Sequence, residues 1–434
     1  MKNTAASGSN EPLSLLHEAS QQPVDADAAS RRSMAPFSRR KFLGTAASAA
    51  ATLSAFGAWP ALGAVEGKRK IKLGLIGCGG RGSWIANLFK AHGGYEFVAV
   101  ADYFPEVANR CGDGLGVDKA RRFSTLSGYK RLLESGVEAV ALETPPYFFP
   151  THAAAAVAAG MHVYMAKPVA PDVPGALAIE RAAKAATTQG RCFFVDYQMP
   201  TDPSNQEVMQ KIRTSGFGKI AQVQTCGISA PFADPPKTAT LESRLQHLIW
   251  VNDIAIGCDY IGNYDIHAID AALWAIGERP VAAMGDSRIC RPDPHGDSHD
   301  ACSVIYEYAN GVVHNHFGQA LRNQAATELS CRVNGVNGLA LLNYWGKATA
   351  RSSDDAYSAE VVNLYEAGAS RNIATFYQQV TEGRFENSTV RRAVDGVLAC
   401  ILGREAAARH ERLTMTKIIR ENKKLTVDLT GLHS

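Results

Sequence analysis

The sequence predicts an α/β fold in which a doubly wound parallel sheet is followed by an α+β domain with an open, mainly antiparallel sheet. From residue 70 to residue 195, apolar strand-like runs alternate with helix-like segments, which is typical of a parallel sheet covered on both faces. After Tyr197, short β-like runs separated by turns such as Ala309-Asn310-Gly311 indicate neighbouring antiparallel strands. We therefore expect one domain over residues 65–196 and a second over residues 197–434.

The predicted parallel sheet has six strands, and five helices connect them along the chain. The strands are expected at Ile71–Gly77, Phe97–Asp102, Ala120–Thr125, Ala139–Thr144, His162–Met165 and Arg191–Val195. The helices are expected at Ser83–His92, Pro105–Gly112, Tyr129–Ser135, Thr151–Ala159 and Pro174–Thr188. In such a sheet, ligands bind beyond the carboxyl ends of the strands. The residues that follow each strand are therefore the first candidates for a binding site.

The predicted second domain combines six strands with four helices. The strands are expected at Ile220–Gly227, Val281–Ile289, Ala301–Tyr308, Gly311–Phe317, Glu328–Val333 and Gly338–Leu342. The helices are expected at Ser204–Ser215, Asp265–Gly277, Asn372–Glu382 and Thr389–His410. An open sheet leaves one face uncovered, and a partner subunit commonly covers such a face. We therefore expect a homo-dimer or homo-tetramer that forms through this sheet.

The composition is typical of a soluble enzyme and argues against a protein that binds nucleic acid. Of the 434 residues, 46% are hydrophobic and 20% are charged, as in ordinary soluble enzymes. A formal net charge of +3, without a block of basic residues and interleaved aromatics, argues against binding to nucleic acid. The nine cysteines include no C-x-x-C pair, and an odd number cannot all form disulfides. We therefore expect mostly buried, reduced thiols.

The N-terminal segment predicts export. Residues 38–43 read Ser-Arg-Arg-Lys-Phe-Leu, an Ala-rich run follows them, and small residues at 61–64 close the segment. The run is too short and too mildly apolar for a stable membrane span, whereas a twin-arginine signal explains the whole pattern. We expect residues 1–64 to be a disordered segment with this signal, and the mature protein to be periplasmic or otherwise exported. Folding in the reducing cytoplasm before export also explains the unpaired cysteines.

The first predicted strand leads directly into Gly77-x-Gly79-x-x-Gly82, and a helix-like run follows it. The first glycine of this motif permits a tight turn, the second lets a diphosphate approach the backbone, and the third lets helix and strand pack closely. The next predicted strand ends at Asp102, where a carboxylate that binds a ribose is expected. This context predicts a dinucleotide site. Asp102 favours NAD over NADP, because a carboxylate repels a 2′-phosphate.

Four segments of the chain, in their order and spacing, resemble the Gfo/Idh/MocA superfamily of oxidoreductases. They are the glycine motif and the segments Glu143–His152, Met161–Ala170 and Asp265–Trp274. The resemblance implies an N-terminal Rossmann domain that binds NAD and a second domain that binds a carbohydrate substrate. The residues expected at the cofactor are Gly77, Gly79, Gly80, Arg81, Gly82, Asp102, Thr144, Pro145, His152 and Lys167.

Two departures from the family pattern bear on the chemistry. The family usually has Glu-Lys-Pro where this chain has Ala166-Lys167-Pro168, so the lysine lacks its usual acidic neighbour. Many dehydrogenases of the family carry an aspartate four residues before a histidine, and here that position is Asn263. The acidic side chain closest before the histidine is instead Asp265. These differences leave room for a chemistry other than the usual Asp–His relay.

Four residues are candidates for catalysis. Lys167 follows a buried strand and is expected near the nicotinamide, where an ammonium group stabilises a sugar alkoxide. His267 is expected to face the same crevice, and a neutral imidazole there is a suitable base. Asp270 lies three residues later on the same helical face, where it either orients the imidazole or serves in helix capping or an ordinary salt bridge. Tyr264 is a further candidate at the rim of the pocket. If the net reaction is hydrolysis of a glycoside through transient oxidation, Tyr264 or His267 is expected to be the base that removes a proton from carbon.

Other residues are assigned to the substrate. Tyr197 and Gln198 follow the last strand of the first sheet, where the family contacts its substrate, and ordinary interdomain packing is the alternative. Asn263, Asp265 and His267 are expected at the same pocket. Aromatic and amide groups suit the faces and hydroxyl groups of sugars.

No metal site is expected from the sequence. His314 and His316 alternate along a predicted strand and therefore share one face. The neighbouring polar residues, however, have no spacing typical of metal ligands. These neighbours are His295, Asp297, His299 and Asp300.

The sequence favours an exported NAD(P)-dependent oxidoreductase that acts on a sugar, polyol or glycoside hydroxyl group. We expect the protein to bind its NAD cofactor tightly, because dissociable NAD is scarce outside the cytoplasm. The alternative is an NAD-dependent glycoside hydrolase that uses transient ring oxidation, elimination, addition of water and reduction. A sugar-sensing protein with a degenerate nucleotide site is a third hypothesis, against which the intact glycine motif and Lys167 argue.

Overall fold

The computed structural model of the protein describes residues 69–434 except residue 215. The predicted export signal, residues 1–64, lies outside the described residues. Within the described part of the chain, no helix combines the length and the apolar character that crossing a membrane requires. None of the nine cysteines, all of which are described, forms a disulfide.

A six-stranded parallel sheet forms the N-terminal part of the fold, with strand order β3-β2-β1-β4-β5-β6. Its strands are β1 Ile71–Ile76, β2 Tyr95–Asp102, β3 Arg122–Ser124, β4 Ala139–Leu142, β5 His162–Ala166 and β6 Phe193–Asp196. The connecting helices are α1 Gly80–His92, α2 Pro105–Leu115, α3 Gly128–Leu133, α4 Phe149–Ala158 and α5 Val173–Thr188. The predicted doubly wound sheet is confirmed. Its strand order reverses between β1 and β4, and ligands bind at such a switch point.

Both faces of this sheet are buried, which explains the continuous apolar runs in its strands. Along β4, Val140 and Leu142 point into one core, and Ala139 and Ala141 point into the other. A side-chain cap fixes the start of α5, because the Asp172 carboxylate accepts a hydrogen bond of 2.8 Å from the Gly175 amide.

A nine-stranded, mainly antiparallel sheet follows, with order β14-β13-β12-β11-β7-β10-β9-β8-β15. Its strands are β7 Ile220–Ser229, β8 Ala282–Arg288, β9 Ala301–Glu307, β10 Val313–Ala320, β11 Glu328–Gly335, β12 Gly338–Asn343, β13 Gly346–Ser352, β14 Ala356–Val361 and β15 Leu413–Thr414. One pair, β7 with β10, is parallel. The predicted open sheet is confirmed, and its last three strands were not predicted.

Helices complete this part of the chain. They are α6 Pro203–Thr214, α7 Ile254–Gly257, α8 Asp259–Asn263, α9 Ile266–Ile276, α10 Leu364–Glu382, α11 Ser388–Arg409 and α12 Met415–Glu421. Helices α9 and α11 pack on one face of the nine-stranded sheet. The other face carries partly exposed apolar side chains, among them Met284, Ile305, Val313, Phe317 and Leu339.

The last two long helices return to the first sheet. Helix α10 packs on α1, and α11 packs on α5 and β6. The Asn387 carboxamide oxygen accepts a hydrogen bond of 2.7 Å from the amide of Phe193, and the Tyr95 hydroxyl donates to the carbonyl of Ile373. The C-terminal helices therefore stabilise the six-stranded sheet, across the predicted boundary between residues 196 and 197.

Candidate active site

A cleft of about 560 Å³ lies beyond the carboxyl ends of β1, β2 and β4. Of the ten residues predicted to bind the cofactor, nine line this cleft. They are Gly77, Gly79, Gly80, Arg81, Gly82, Asp102, Thr144, Pro145 and His152. Lys167, the tenth, follows the neighbouring strand β5 and does not contribute to the lining.

The glycine motif provides room at the start of α1. Gly77 has φ +96°, and a Cβ there would approach the Glu143 backbone to 2.6 Å. A Cβ on Gly82 would stand 1.9 Å from the carbonyl oxygen of Gly77, so only glycine permits this close approach. Cβ atoms on Gly79 and Gly80 would meet nothing within 4 Å. The loop is therefore open toward the cleft, and its residues fit a diphosphate at a helix N-terminus.

Asp102 and His152 shape the rest of this cleft. The Asp102 carboxylate accepts hydrogen bonds from the amides of Cys78 at 2.7 Å and Phe104 at 3.0 Å, which hold it at the end of β2. Burial raises the pKa of Asp102, and these two amides oppose the rise. Burial lowers the pKa of His152 to about 3, so its ring is neutral. Its Nδ1 lies 3.3 Å from the Thr144 hydroxyl.

A loop that the sequence left without assignment covers one side of the cleft. Leu245, His247, Leu248 and Trp250 from this loop line the cleft opposite the glycine motif. The buried Arg244 side chain anchors the loop through several partners. It forms ion pairs with Asp253 at 2.6 Å and Asp234 at 2.7 Å, and it donates to the carbonyl of Pro235 at 2.8 Å.

The C-terminal segment reaches the cleft from another side. The carbonyl of His433 accepts a hydrogen bond of 3.0 Å from the amide of Leu126, and the His433 amide donates to the Tyr103 hydroxyl. Leu126 and Tyr103 both line the cleft beside Asp102. The backbone of His433 therefore helps to hold these two lining residues in place.

Four ionisable side chains meet beside the glycine motif. Glu143 follows β4, Lys167 follows β5, and Asp196 ends β6, so three neighbouring parallel strands deliver them to one edge. The Arg81 guanidinium lies 2.7 Å from Asp196 and 3.4 Å from Glu143. The same guanidinium also lies over the indole ring of Trp84. Burial raises the pKa of Glu143 to about 7, and Arg81 opposes the rise.

Glu143 and Asp196 were not predicted as site residues. A signal for them existed, because each stands at the carboxyl end of a buried apolar strand, as Lys167 does. Asp196 also accepts hydrogen bonds from Gln198 at 2.9 Å and Asn372 at 2.7 Å. These bonds fix the carboxylate that positions Arg81.

Lys167 has an environment that favours its neutral form. Its ammonium group donates to the backbone carbonyl of Asn263, the predicted substrate residue at the end of α8. Burial and the nearby Arg81 charge lower the pKa of Lys167 to about 7. A lysine with such a pKa is able to accept a proton at neutral pH.

His267 lies in the first turn of α9, buried between aromatic rings. Its ring centre is 6.2 Å from that of Tyr197 and 5.2 Å from that of Tyr344, both in edge-to-face geometry. Burial, followed by the charges of Lys167 and Arg81, lowers the pKa of His267 well below its usual value. Its Nδ1 is buried without a hydrogen-bond partner among the described residues. The ring is therefore a neutral imidazole close to Lys167.

The prediction that Asp270 orients this imidazole is wrong, and its alternative, a salt bridge, is what the structure contains. An Asp270 carboxylate oxygen lies 2.7 Å from Arg392 Nε. Burial raises the pKa of Asp270 to about 6, although Arg392 opposes the rise. Arg392 comes from α11, which packs on α9, so tertiary packing decides the partner of this carboxylate.

Three further predicted residues have their polar groups turned away from the cleft. The Gln198 amide donates to Asp196 and accepts from Tyr344 at 3.2 Å, which corresponds to interdomain packing rather than to a substrate contact. Asp265 is buried against the second sheet, 3.1 Å from His316. The Tyr264 hydroxyl donates to the carbonyl of Ile228 at 3.2 Å, and burial raises its pKa, which disfavours Tyr264 as a base.

Tyr197 is buried, and its hydroxyl has no hydrogen-bond partner among the described residues. Its ring supports the imidazole of His267, as described above. The residues considered for a metal site do not come together as one group. His299 pairs with Asp259 at 3.2 Å, and Asp300 pairs with Arg291 at 2.7 Å, while His314 and His316 lie buried in the sheet.

Residues 71–197 match the Gfo/Idh/MocA family model, described as an oxidoreductase family with an NAD-binding Rossmann fold. This segment, which contains all six strands of the parallel sheet, is therefore similar to the NAD-binding Rossmann domain of that family. The chain is also similar to inositol 2-dehydrogenase 4 from Saccharopolyspora erythraea. The two are 26% identical over 294 residues, which is 65% of this chain and 79% of the relative.

Two solved structures have the same fold. Aldose-aldose oxidoreductase from Caulobacter crescentus, complexed with glycerol, has a TM-score of 0.66 at 19% identity, over 80% of this chain and 100% of that one. Levoglucosan dehydrogenase, in complex with NADH and levoglucosan, has a TM-score of 0.67 at 17% identity, with the same coverage.

Proposed function

We propose that this protein is an exported NAD-dependent oxidoreductase that acts on a hydroxyl group of a sugar, polyol or glycoside and retains its cofactor between turnovers. One observation carries the proposal. A cleft shaped for a dinucleotide is lined by Arg81 and Glu143, whose charges act on the neighbouring Lys167. The pKa of Lys167, about 7, allows it to accept a proton, and the neutral ring of His267 lies near enough to be affected by the charge of Lys167. The family match supports the cofactor, and the names of the relatives support the class of substrate.

The chemistry divides between the cofactor and the chain. NAD, when bound, accepts a hydride from a carbon that carries a hydroxyl group. The chain has to remove the hydroxyl proton, and the amine of Lys167 is the base that the site supplies. The unpaired Nδ1 of His267 accepts a hydrogen bond from the same or a neighbouring hydroxyl group. The Arg81–Asp196 pair holds the glycine loop beside Lys167. Burial and the Arg81 charge keep the pKa of Lys167 low, and the Asp196 carboxylate opposes them.

Retention of the cofactor is supported by the segments that line the cleft. The loop anchored by Arg244 lines one part of the cleft, and the His433 backbone holds Leu126 and Tyr103, which line it beside Asp102. Export, which the sequence predicts from residues 38–43, makes such retention useful because the cofactor is loaded before the protein leaves the cytoplasm.

A homo-oligomer remains part of the proposal. Met284, Ile305, Val313 and Phe317 place apolar side chains on the uncovered face of the nine-stranded sheet, each more than a third exposed. Exposed apolar patches of this kind mark interaction sites. Light scattering of the full chain would show a dimer or tetramer, and Phe317→Glu would dissociate it.

The activity is tested on purified full-length protein with a panel of aldoses, cyclitols and aryl glycosides. We expect one class of substrate to convert bound NAD to its reduced form, seen as nicotinamide absorbance. Reducing sugar is assayed in parallel. Release of reducing sugar without net reduction would instead select the hydrolytic alternative. Bound nucleotide that no carbohydrate reduces, together with no release of sugar, would contradict the proposal.

A further inference from the structure

Three side chains with different metal-binding atoms meet inside the second sheet, apart from the cleft. They are Asp265, Cys302 and His316, and one ligand atom of each lies within 4.8 Å of the others. The closest pair is Asp265 Oδ2 and His316 Nε2, at 3.1 Å. Asp265 and His316 are buried, and Cys302 is nearly so. No role in the proposed oxidation explains this group.

The sheet itself brings the three residues together. His316 and Gly318 alternate on β10 and therefore point to the same face. Cys302 on β9 stands directly opposite Gly318 in the antiparallel register. Asp265 enters from the N-terminus of α9, which packs on this face.

Two glycines make the space that the carboxylate occupies. A Cβ on Gly318 would lie 2.2 Å from Asp265 Oδ2, 2.8 Å from Cys302 Sγ and 3.1 Å from His316 Nε2. A Cβ on Gly227 would lie 2.0 Å from Asp265 Oδ1, and Gly227 is the neighbour of Gly318 in the parallel register. The carboxylate oxygens of Asp265, the sulfur of Cys302 and Nε2 of His316 therefore lie close together over backbone that carries no side chain.

An outer layer of hydrogen bonds fixes the orientation of the imidazole. His316 Nδ1 lies 2.9 Å from the Thr225 hydroxyl, which lies 2.7 Å from His314 Nε2. His314 Nδ1 in turn lies 3.2 Å from the Tyr308 hydroxyl. This chain holds Nε2 of His316 toward Asp265 and Cys302. Ligating histidines use their second nitrogen in the same way.

We propose that Asp265, Cys302 and His316 bind one divalent transition-metal ion of the zinc class. A mixed set of oxygen, sulfur and nitrogen ligands suits Zn²⁺, and three protein ligands leave a fourth position for water. On binding, the Cys302 thiol loses its proton to solvent and forms the metal–sulfur bond. The charges of one thiolate and one carboxylate then balance the divalent ion, and the imidazole stays neutral.

The position of the ion lies between one helix and two strands. It would tie the start of α9 to strands β9 and β10. His267 lies two residues after Asp265, so the ion would also position the imidazole near Lys167. This inference stands without the proposed function, because it rests on ligand geometry alone.

The test is the metal content of full-length protein expressed with added zinc and purified without chelators. We expect about one zinc ion per chain in the wild type. Cys302→Ser and His316→Gln should lose the ion. Thr225→Val removes only the outer hydrogen bond and should weaken zinc binding about ten- to hundredfold. Cys331→Ser is the matched control, because it removes another buried thiol of the same sheet.

Cobalt provides a readout that misfolding does not imitate. Protein stripped of metal and titrated with Co²⁺ should show a thiolate-to-cobalt absorption band in the near ultraviolet. Cys302→Ser should lose this band while it keeps its helical circular dichroism, and Cys331→Ser should retain the band. Wild-type protein that holds no zinc and shows no band, or a band that survives in Cys302→Ser, would overturn the inference.

Discussion

The glycine-motif side of the cleft and the α8–α9 region use polar residues in opposite ways. Around the motif, the predicted residues face an open cleft, and a Cβ on Gly79 or Gly80 would meet no other described residue within 4 Å, apart from their chain neighbours. In the α8–α9 region, Asp265 and Asp270 are buried and bind other parts of the protein. The first region is built to receive a ligand. The second is built to hold two catalytic candidates, Lys167 and His267, in place.

This contrast explains why the sequence was informative about one region and misleading about the other. The close contact between the backbones of Gly82 and Gly77 is a local steric requirement that only glycine meets. Such a requirement is visible in the sequence as the glycine motif. The partner of Asp270 is Arg392, a residue on a helix far along the chain. Helical spacing places Asp270 near His267 but does not reveal what packs against that face.

The largest expected effect comes from Lys167→Ala. If the amine is the base, turnover should fall by about a thousandfold or more, because positioned acid–base groups contribute that much. Bound nucleotide should remain, since Lys167 does not line the cleft. Single-turnover kinetics and the nucleotide content of the same sample measure both. Turnover within a few-fold of the wild type would remove Lys167 from the mechanism.

The next largest effect is expected from Arg244→Met, which tests whether the covering loop belongs to the cofactor site. The change removes one partner from the buried Asp253 and Asp234 carboxylates, which keep Lys237 and Arg291. The loss in unfolding free energy should therefore stay below the cost of an uncompensated buried charge, which is about 3–5 kcal/mol. Denaturant unfolding and the rate of NAD dissociation are the measurements. Arg288→Met is the control, since its side chain is 78% exposed. Equal rates of NAD dissociation in the two variants would show that the loop does not belong to the cofactor site.

A smaller effect is expected from Gly82→Ala. The new methyl group would collide with the carbonyl of Gly77, and strain of this kind costs about 1–3 kcal/mol, or roughly tenfold in NAD affinity for each 1.4 kcal/mol. Gly114→Ala is the control, because a Cβ there meets nothing within 4 Å. Calorimetric titration with NAD compares the two. Unchanged affinity in Gly82→Ala would show that the motif does not carry the nucleotide.

The smallest change is a dependence on pH. The pKa of Lys167 is lowered to about 7, so the neutral base is lost below that pH and gained above it. For oxidation, kcat/KM should therefore rise about tenfold per pH unit up to pH 7 and then level off. The pKa of Glu143 is similar, so its titration could produce the same rise, and a Glu143 variant is the control. Glu143→Gln should keep the rise but move it to lower pH, because Glu143 favours the ammonium form. Loss of the rise in Glu143→Gln would assign it to the carboxyl group.

The fold was predictable where hydrophobic patterns were long and continuous. All six strands of the first sheet were predicted within a few residues of their observed positions. Strands β13 and β14 were missed, because residues 346–361 alternate small and charged side chains with few large apolar ones. Strand β15 has only two residues, and its pairing with β8 depends on the packing of α11.

The site was predictable only where a residue directly follows a recognisable apolar strand. Lys167 was identified, but Glu143 and Asp196 were not, although all three end neighbouring strands. Their importance comes from Arg81, which joins them across the sheet edge. Arg244 was also missed, because a buried arginine in an irregular loop has no sequence signature apart from its partners.

The central claim is that a nicotinamide dinucleotide occupies the cleft beside Lys167. The most direct measurement is to denature the purified full-length protein and identify the released nucleotide by mass spectrometry. We predict NAD or NADH in nearly equal amount to the protein, with little NADP. Absence of any nucleotide, together with no binding of added NAD by the native protein, would contradict the account.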